Sequence, residues 1–386
     1  MGMTPRIAVT DLRDPESAAN GNKALLNLAS MASLRTKQLD GTAQAMPLAK
    51  VLIKCHSLDS TDPRDKVYGV LGLASDADKI GLKVDYSISA TDLYIDTAIQ
   101  VLKTCQNFEI LSCFLSNPKL TLPSWVPDWS TSPVAYCNIA WELFNAHAST
   151  PASITINKSE QKLVTKGVLF DELIYVSHEI FPSMGALPGF ATLWPGQPFT
   201  WILIHLDIVH HLIKHPYGDS ITEAFWRTLI TDQTHVPSRA DHTYTYNFRS
   251  AIRVCSLSYA LSMGIPPGYS DNDMLQLAEY ASLGEDFDWD ASDNRASYGH
   301  HYMSMFQNMA RHRSFGFTKK GFLALVPSVC NAGDVVAVFA GGNVPFVLRG
   351  TGEEGQFKVI GESFVQGIMD GEAFENNPII TDITLV

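Results

Sequence analysis

Between Arg313 and Val365 the chain alternates short runs of β-favouring residues with Gly and Pro. Phe315–Thr318, Phe322–Val326, Val335–Phe339, Phe346–Leu348 and Phe357–Ile360 are each too short for a helix, and the breakers between them stop any run from continuing. Strands this short satisfy their backbone groups only by pairing with several neighbours, so the spacing predicts a small antiparallel barrel or sandwich. Ile154–Ile156 and Leu163–Val176 read as two further strands around a turn at Lys158–Gln161. Gly341-Gly342-Asn343 reads as a tight hairpin whose glycines take positive φ. It does not precede a helix, so it lacks the context of a phosphate-cradling loop.

The remaining periodicity is helical. Apolar residues recur at helical spacing over Phe199–Lys214, Ile221–Thr231, Tyr246–Met263, Met274–Leu283 and Tyr298–Arg311. Near the N-terminus Lys23–Leu39 and Pro47–Leu58 read the same way, the second with Pro47 at its first turn. Ser89-Ala90-Thr91-Asp92 is a cap-and-acid helix start ahead of an apolar face running from Leu93 to Leu102. Phe108–Leu115 reads as a short buried strand or helix end. The fold class expected is α+β, with N-terminal helices, a long helical insertion and a C-terminal small antiparallel β-barrel or sandwich. Residues 1–22 form a lead-in, residues 23–150 a mainly helical part, and residues 151–386 a barrel-like part with its insertion at 199–312. The whole is expected to be one intimate globular unit.

Thr61–Ala74, TDPRDKVYGVLGLA, joins the helical parts. Asp62-Pro63 starts a turn, and Arg64, Asp65 and Lys66 place charges at the start of a helix. Val67, Tyr68, Val70, Leu71 and Leu73 give it a buried stripe, and Gly72 offers a stop without a Cβ penalty. Asp65 suits the helix dipole and is within reach of Arg64 or a distant arginine.

Composition excludes several classes of partner. The net charge is −12 and the basic residues form no run, which argues against nucleic acid and against anionic membranes. The six cysteines show neither CxxC nor zinc-ligand spacing, and fit reduced, buried thiols. The first residues carry charges where a secretion signal needs an apolar run, and no stretch is long enough to span a membrane. A cytoplasmic protein is the expectation, with a homo-oligomer left open.

Chemistry has several candidate carriers. Leu122–Ser130, LPSWVPDWS, is extended because two prolines forbid a helix or a central strand. Its Trp125 and Trp129 either plug a core or wall a ligand pocket whose polar group is Asp128. Glu285–Asp293 is an acidic loop around Trp289. Tyr298, His300, His301 and Tyr302 follow it, placed to donate hydrogen bonds to a ligand carbonyl. Arg349, Glu362, Asp370 and Glu372 sit in or after apolar strands. They form either an ion-pair network pinning the strands to Arg64 and Asp65, or a site in which one carboxylate acts as a general acid–base. His205, His210, His211 and His215 crowd one helix, but there is no HExxH, and no metal or nucleotide cofactor is expected.

At TDPRDKVYGVLGLA the chain resembles the fungal heterokaryon-incompatibility family. The resemblance continues at Val84-Asp85-Tyr86-Ser87, at LPSWVPDWS, at Phe315–Pro327, at Gly333–Arg349 and at Val359–Ala373. It implies a fungal source. Family members begin with a half that carries YxxLSYxWG-like and WxDxxCIxQ-like patterns and is linked to cell-death signalling. Neither pattern occurs in this sequence. The resemblance is therefore to the region downstream of that half, here read as free-standing, which argues against direct incompatibility or NAD cleavage.

Two functions follow. The first is a cofactor-independent cyclase of fungal secondary metabolism, of Diels–Alder [4+2] type, acting on an apolar terpenoid or polyketide. Tyr298, His301, Asp128 and Arg349 would act, and Trp125, Trp129, Trp289 and Tyr302 would wall the pocket. Orientation in such a cavity is worth up to about 7–11 kcal/mol. The second is a non-enzymatic incompatibility-type interaction protein. A closed apolar cavity lined by Trp and Tyr favours the first, and a broad exposed apolar patch the second.

Overall fold

The computed structural model describes residues 46–56, 58–112, 118–131, 139–181, 197–212, 214–236, 238–252 and 295–386. The expected helices Lys23–Leu39 and Met274–Leu283, the lead-in and the acidic loop around Trp289 lie outside them.

Among the described residues four helices come first. α1 (Leu48–Cys55) begins directly after an extended Pro47, and buries Leu48, Ala49, Val51, Leu52 and Cys55. Asp76 Oδ1 accepts from the Leu48 amide at 2.7 Å, which satisfies one of the orphan donors of its first turn. α2 (Asp65–Leu71) is the helix expected in TDPRDKVYGVLGLA. Gly72 follows it with φ −67°, an ordinary right-handed value, so the stop does not use the freedom of glycine. α3 (Ala77–Ile80) is one turn, closed by Gly81 at φ +67°. α4 (Ala90–Cys105) starts as the sequence predicts. Ser89 Oγ accepts from the Asp92 amide at 3.1 Å and donates to Asp92 Oδ2 at 2.6 Å. A 3-10 turn at Glu109–Ser112 takes the place of a strand or helix end.

Among the described residues nine strands follow: β1 (Ile154–Asn157), β2 (Lys162–Val176), β3 (Arg313–Thr318), β4 (Leu323–Pro327), β5 (Val335–Phe339), β6 (Phe346–Gly350), β7 (Gln356–Glu362), β8 (Phe364–Val365) and β9 (Thr381–Leu385). β5 pairs with β6, β6 with β7, β7 with β9, β9 with β2, and β2 again with β5, so the pairings return to their starting strand. All are antiparallel except β7 with β9.

β2 makes this closure possible. Its 15 residues change partner along their length, from β9 at Leu163–Gly167 to β5 at Gly167–Glu172 and β3 at Leu173–Val176. Irregularities between Leu169 and Asp171, and between Leu173 and Tyr175, re-aim the strand at these changes. At Gly167, where two partners meet, a Cβ would lie 2.6 Å from the Val338 carbonyl oxygen. Only glycine lets the backbones approach so closely.

β3 and β4 are buried at every position, covered on both faces rather than alternating. One covering layer comes from α5 (Gln197–His210), α6 (Ile221–Leu229), residues 244–252 and α7 (Arg295–Ala310). α6 stops short of its expected end because Thr231 and Asp232 both take φ +51°. A single apolar cluster runs from Leu48 and Val51 through Trp125, Trp226 and Phe315 to Ile383 and Leu385, so helices and sheet share one core.

The Gly341-Gly342-Asn343 turn is longer than a tight hairpin, since residues 340–345 separate the strands. Gly341 has φ +83°, and a Cβ there would meet Ala152 at 2.5 Å. Asn343 Nδ2 donates to the Trp141 carbonyl at 3.0 Å, which ties the turn to the segment before β1.

The expected charge network is a correction. Arg349 pairs with Asp334, Glu362 with Arg313, and Asp370 with Arg239, whereas Glu372 accepts from the Asp370 amide. Arg64 pairs with Asp62 instead. These are separate local clamps, and none of these contacts ties the late strands to α2.

Candidate functional site

Asp128 was the polar group expected in a pocket, but its carboxylate is consumed by its own loop. Oδ2 accepts from the amides of Lys119 and Leu120 at 2.7 and 2.9 Å, and Oδ1 from the Ser130 amide and hydroxyl. With both oxygens holding 118–131 in shape, it is a buried bracket. Trp125 is buried, and its Nε1 donates to the Gln161 carbonyl at 3.0 Å, locking the loop onto the β1–β2 turn. Trp129 is buried edge-on against Tyr94, with ring centroids 5.1 Å apart. Both tryptophans plug the core.

Tyr302 is also a core anchor. Its hydroxyl donates to the Trp226 carbonyl at 2.9 Å, and burial pushes the phenol well above its ordinary pKa. His301 faces the opposite way, exposed, with its carbonyl 3.2 Å from His235 Nε2. Arg349 makes two 2.8 Å hydrogen bonds to Asp334 and a third to the Val329 carbonyl. Trp289 and the side chain of Tyr298 lie outside the described residues. The described candidates sit on three separate elements.

The helix histidines diverge too. His205 Nδ1 lies 2.8 Å from the Trp201 carbonyl and therefore carries the proton, which leaves Nε2 to accept from the Tyr175 hydroxyl at 3.1 Å. His210 meets Thr222, and His211 meets Asp207. Among the described residues no cluster of His, Cys, Asp or Glu is placed to hold a metal ion.

What the fold does bring together is the pair of blocks TDPRDKVYG and VDYS. Arg64 donates through Nε and Nη2 to both oxygens of Asp62, and through Nη1 to the carbonyls of Tyr86 and Ile88. Tyr86 Oη donates to Asp65 Oδ1 at 2.6 Å, and the Arg64 guanidinium lies 5.2 Å from the Tyr86 ring centre. Tyr68 Oη both donates to the Asp85 carbonyl and accepts from its amide. Tyr94 Oη donates to the Pro63 carbonyl at 2.6 Å, which fixes the turn to α4. The side-chain bonds from Arg64 hold the Asp62 carboxyl below its usual range, and those from Ser87 do the same for Asp85. The result is a strap, residues 81–89, pinned by one guanidinium and two phenols.

This strap is exposed. Val84 and Tyr86 present 60% and 51% of their surface to solvent. An open cleft lies on each side. One, of about 510 Å³, is bounded by Asp62, Arg64, Asp65 and Ser89. The other, of about 540 Å³, lies between the strap, α4 and β1. The sequence marks both blocks, but nothing in their spacing reports that the second folds back onto Arg64. That relation spans about twenty residues and was missed as a site.

Residues 212–378 match the family model of the Het-6 beta-barrel domain, which takes in α6, α7 and β3–β8. The chain is similar to heterokaryon incompatibility protein 6, OR allele, of Neurospora crassa, at 25% identity over 351 residues. That alignment takes in 81% of this chain and 49% of the relative, so the chain spans about half the length of the curated relative it matches. No solved structure matches. The chain thus carries a match to the Het-6 beta-barrel domain and is similar to a heterokaryon incompatibility protein.

Proposed function

We propose that this chain is a recognition protein of the heterokaryon-incompatibility type, binding through the face built by Arg64, Asp65 and the 81–89 strap. The observation that carries the reading is the convergence of TDPRDKVYG and VDYS on one exposed, charged surface with a cleft on either side. Pre-fixed aromatic and guanidinium groups at a surface are the kind of anchor that protein interfaces concentrate. The cyclase reading loses its support from Trp125, Trp129, Asp128 and Tyr302, because each is committed to packing or to backbone hydrogen bonds.

The test is genetic. The chain, expressed in a recipient fungus, is scored for growth arrest when that strain fuses with partner strains. Arrest with the natural chain, relieved in the combined Arg64→Ala and Tyr86→Ala variant at equal protein level, is the expected result. Arrest that is identical with the variant, or no arrest in any pairing, overturns the proposal.

A further inference from the structure

The 540 Å³ cleft has a composition of its own. Its floor is apolar, with Leu93 and Ile99 of α4 buried beneath the partly covered Ile88 and Ile156. Its rim carries Lys83, Lys103 and Lys158, all exposed. Lys158 is neutralised by Asp96, whereas Asp85 keeps its negative charge, because its hydrogen-bond donors on Ser87 are neutral. Lys83 and Lys103 form no ion pair among the described residues, and with Asp85 and Asp96 set against Lys83, Lys103 and Lys158 the lining carries a net charge of +1. This is a local reversal in a chain of net charge −12. At physiological salt the screening length is about 8 Å, so a ligand in the cleft responds to these ammoniums rather than to the distant acidic surface.

We infer that this cleft binds an acidic polypeptide segment of a partner protein, with one large apolar side chain on the Leu93–Ile99 floor and flanking carboxylates on Lys83 and Lys103. A polypeptide fits better than a small molecule, because small-molecule sites enclose most of their ligand. Here Gly81, Lys83, Gln100 and Lys103 leave the rim open to solvent. Val84, exposed on the strap, extends the apolar surface beyond the cleft. The inference rests on the recognition reading and adds the chemistry of the partner.

The experiment uses the full chain and a fluorescein-labelled peptide EDLFE, followed by anisotropy, with KKLFK as the charge-reversed control. The acidic peptide should bind, bind less tightly as NaCl is raised, and lose about tenfold in affinity in the K83E/K103E variant. Both lysines are exposed, so the variant should retain its fold, checked by circular dichroism. Equal binding of the two peptides, no binding up to millimolar concentration, or affinity unchanged in the variant overturns the inference. Growth arrest by a chain that fails to bind EDLFE defeats this inference alone. Binding of EDLFE without growth arrest defeats the recognition reading and leaves the cleft assignment standing.

Discussion

Tyr86 Oη donates a 2.6 Å hydrogen bond to Asp65 Oδ1, and so closes the strap onto the first turn of α2. The same carboxylate raises the phenol's pKa, because it accepts the proton that ionisation would remove. Tyr86→Phe should therefore leave the fold intact but loosen the strap. Amide hydrogen exchange over residues 82–88 checks this, with faster exchange there and unchanged protection in β2 and β5 as the expected pattern.

The Arg313–Glu362 pair is buried, at 2.7 Å, and Trp141 Nε1 donates to the other carboxylate oxygen at 2.9 Å. Removing one charge leaves the other uncompensated in the core. Glu362→Leu should cost about 3–5 kcal/mol in urea unfolding, whereas the Arg313→Met, Glu362→Leu double variant should recover much of that loss.

How much of this was legible beforehand follows from the range of each interaction. The α4 start was readable because Ser89 and Asp92 are three residues apart, and β2 because its turn at Lys158–Gln161 is local. The closing strand β9 was not seen. Thr381–Leu385 is short, and its place between β7 and β2 depends on partners over 20 and over 200 residues away. Arg349 and Glu362 stood out as charges in apolar strands, yet their partners Asp334 and Arg313 were not predictable, since alternation gives burial and not pairing. Trp125 and Trp129 were readable as buried aromatics, and burial alone does not separate a plug from a pocket wall.

His205 gives the pH dependence. Burial lowers its pKa from the ordinary value near 6.5, so the folded protein holds it neutral while the unfolded chain takes up a proton. The unfolded state binds more protons as pH falls below about 6.5. The stability from this group is therefore complete above that pH and lost as pH falls toward the lowered folded value. The urea midpoint should drop between pH 7.5 and 5.5, and His205→Gln should flatten the drop.

Cys105 is partly exposed, but burial and the nearby Asp76 and Glu109 carboxylates push its thiol up to about 11. Thiolate is the reactive form, so alkylation by iodoacetamide at pH 8 should run roughly a hundredfold slower than for an unperturbed cysteine. Peptide mapping by mass spectrometry gives the rate at this position.

Gly341→Ala should be more damaging than a loop substitution usually is. It combines φ +83° with a Cβ placed 2.5 Å from that of Ala152. A loss of about 2–4 kcal/mol is expected in thermal or urea unfolding.

The central claim is that function resides on the Arg64–Tyr86 face and not in a chamber walled by Trp125, Trp129 and Tyr302. The most direct measurement is growth arrest on fusion for the natural chain beside the Arg64→Ala, Tyr86→Ala variant, with urea midpoints confirming that both are folded. The account predicts arrest by the natural chain and none by the folded variant. Equal arrest by both would contradict it.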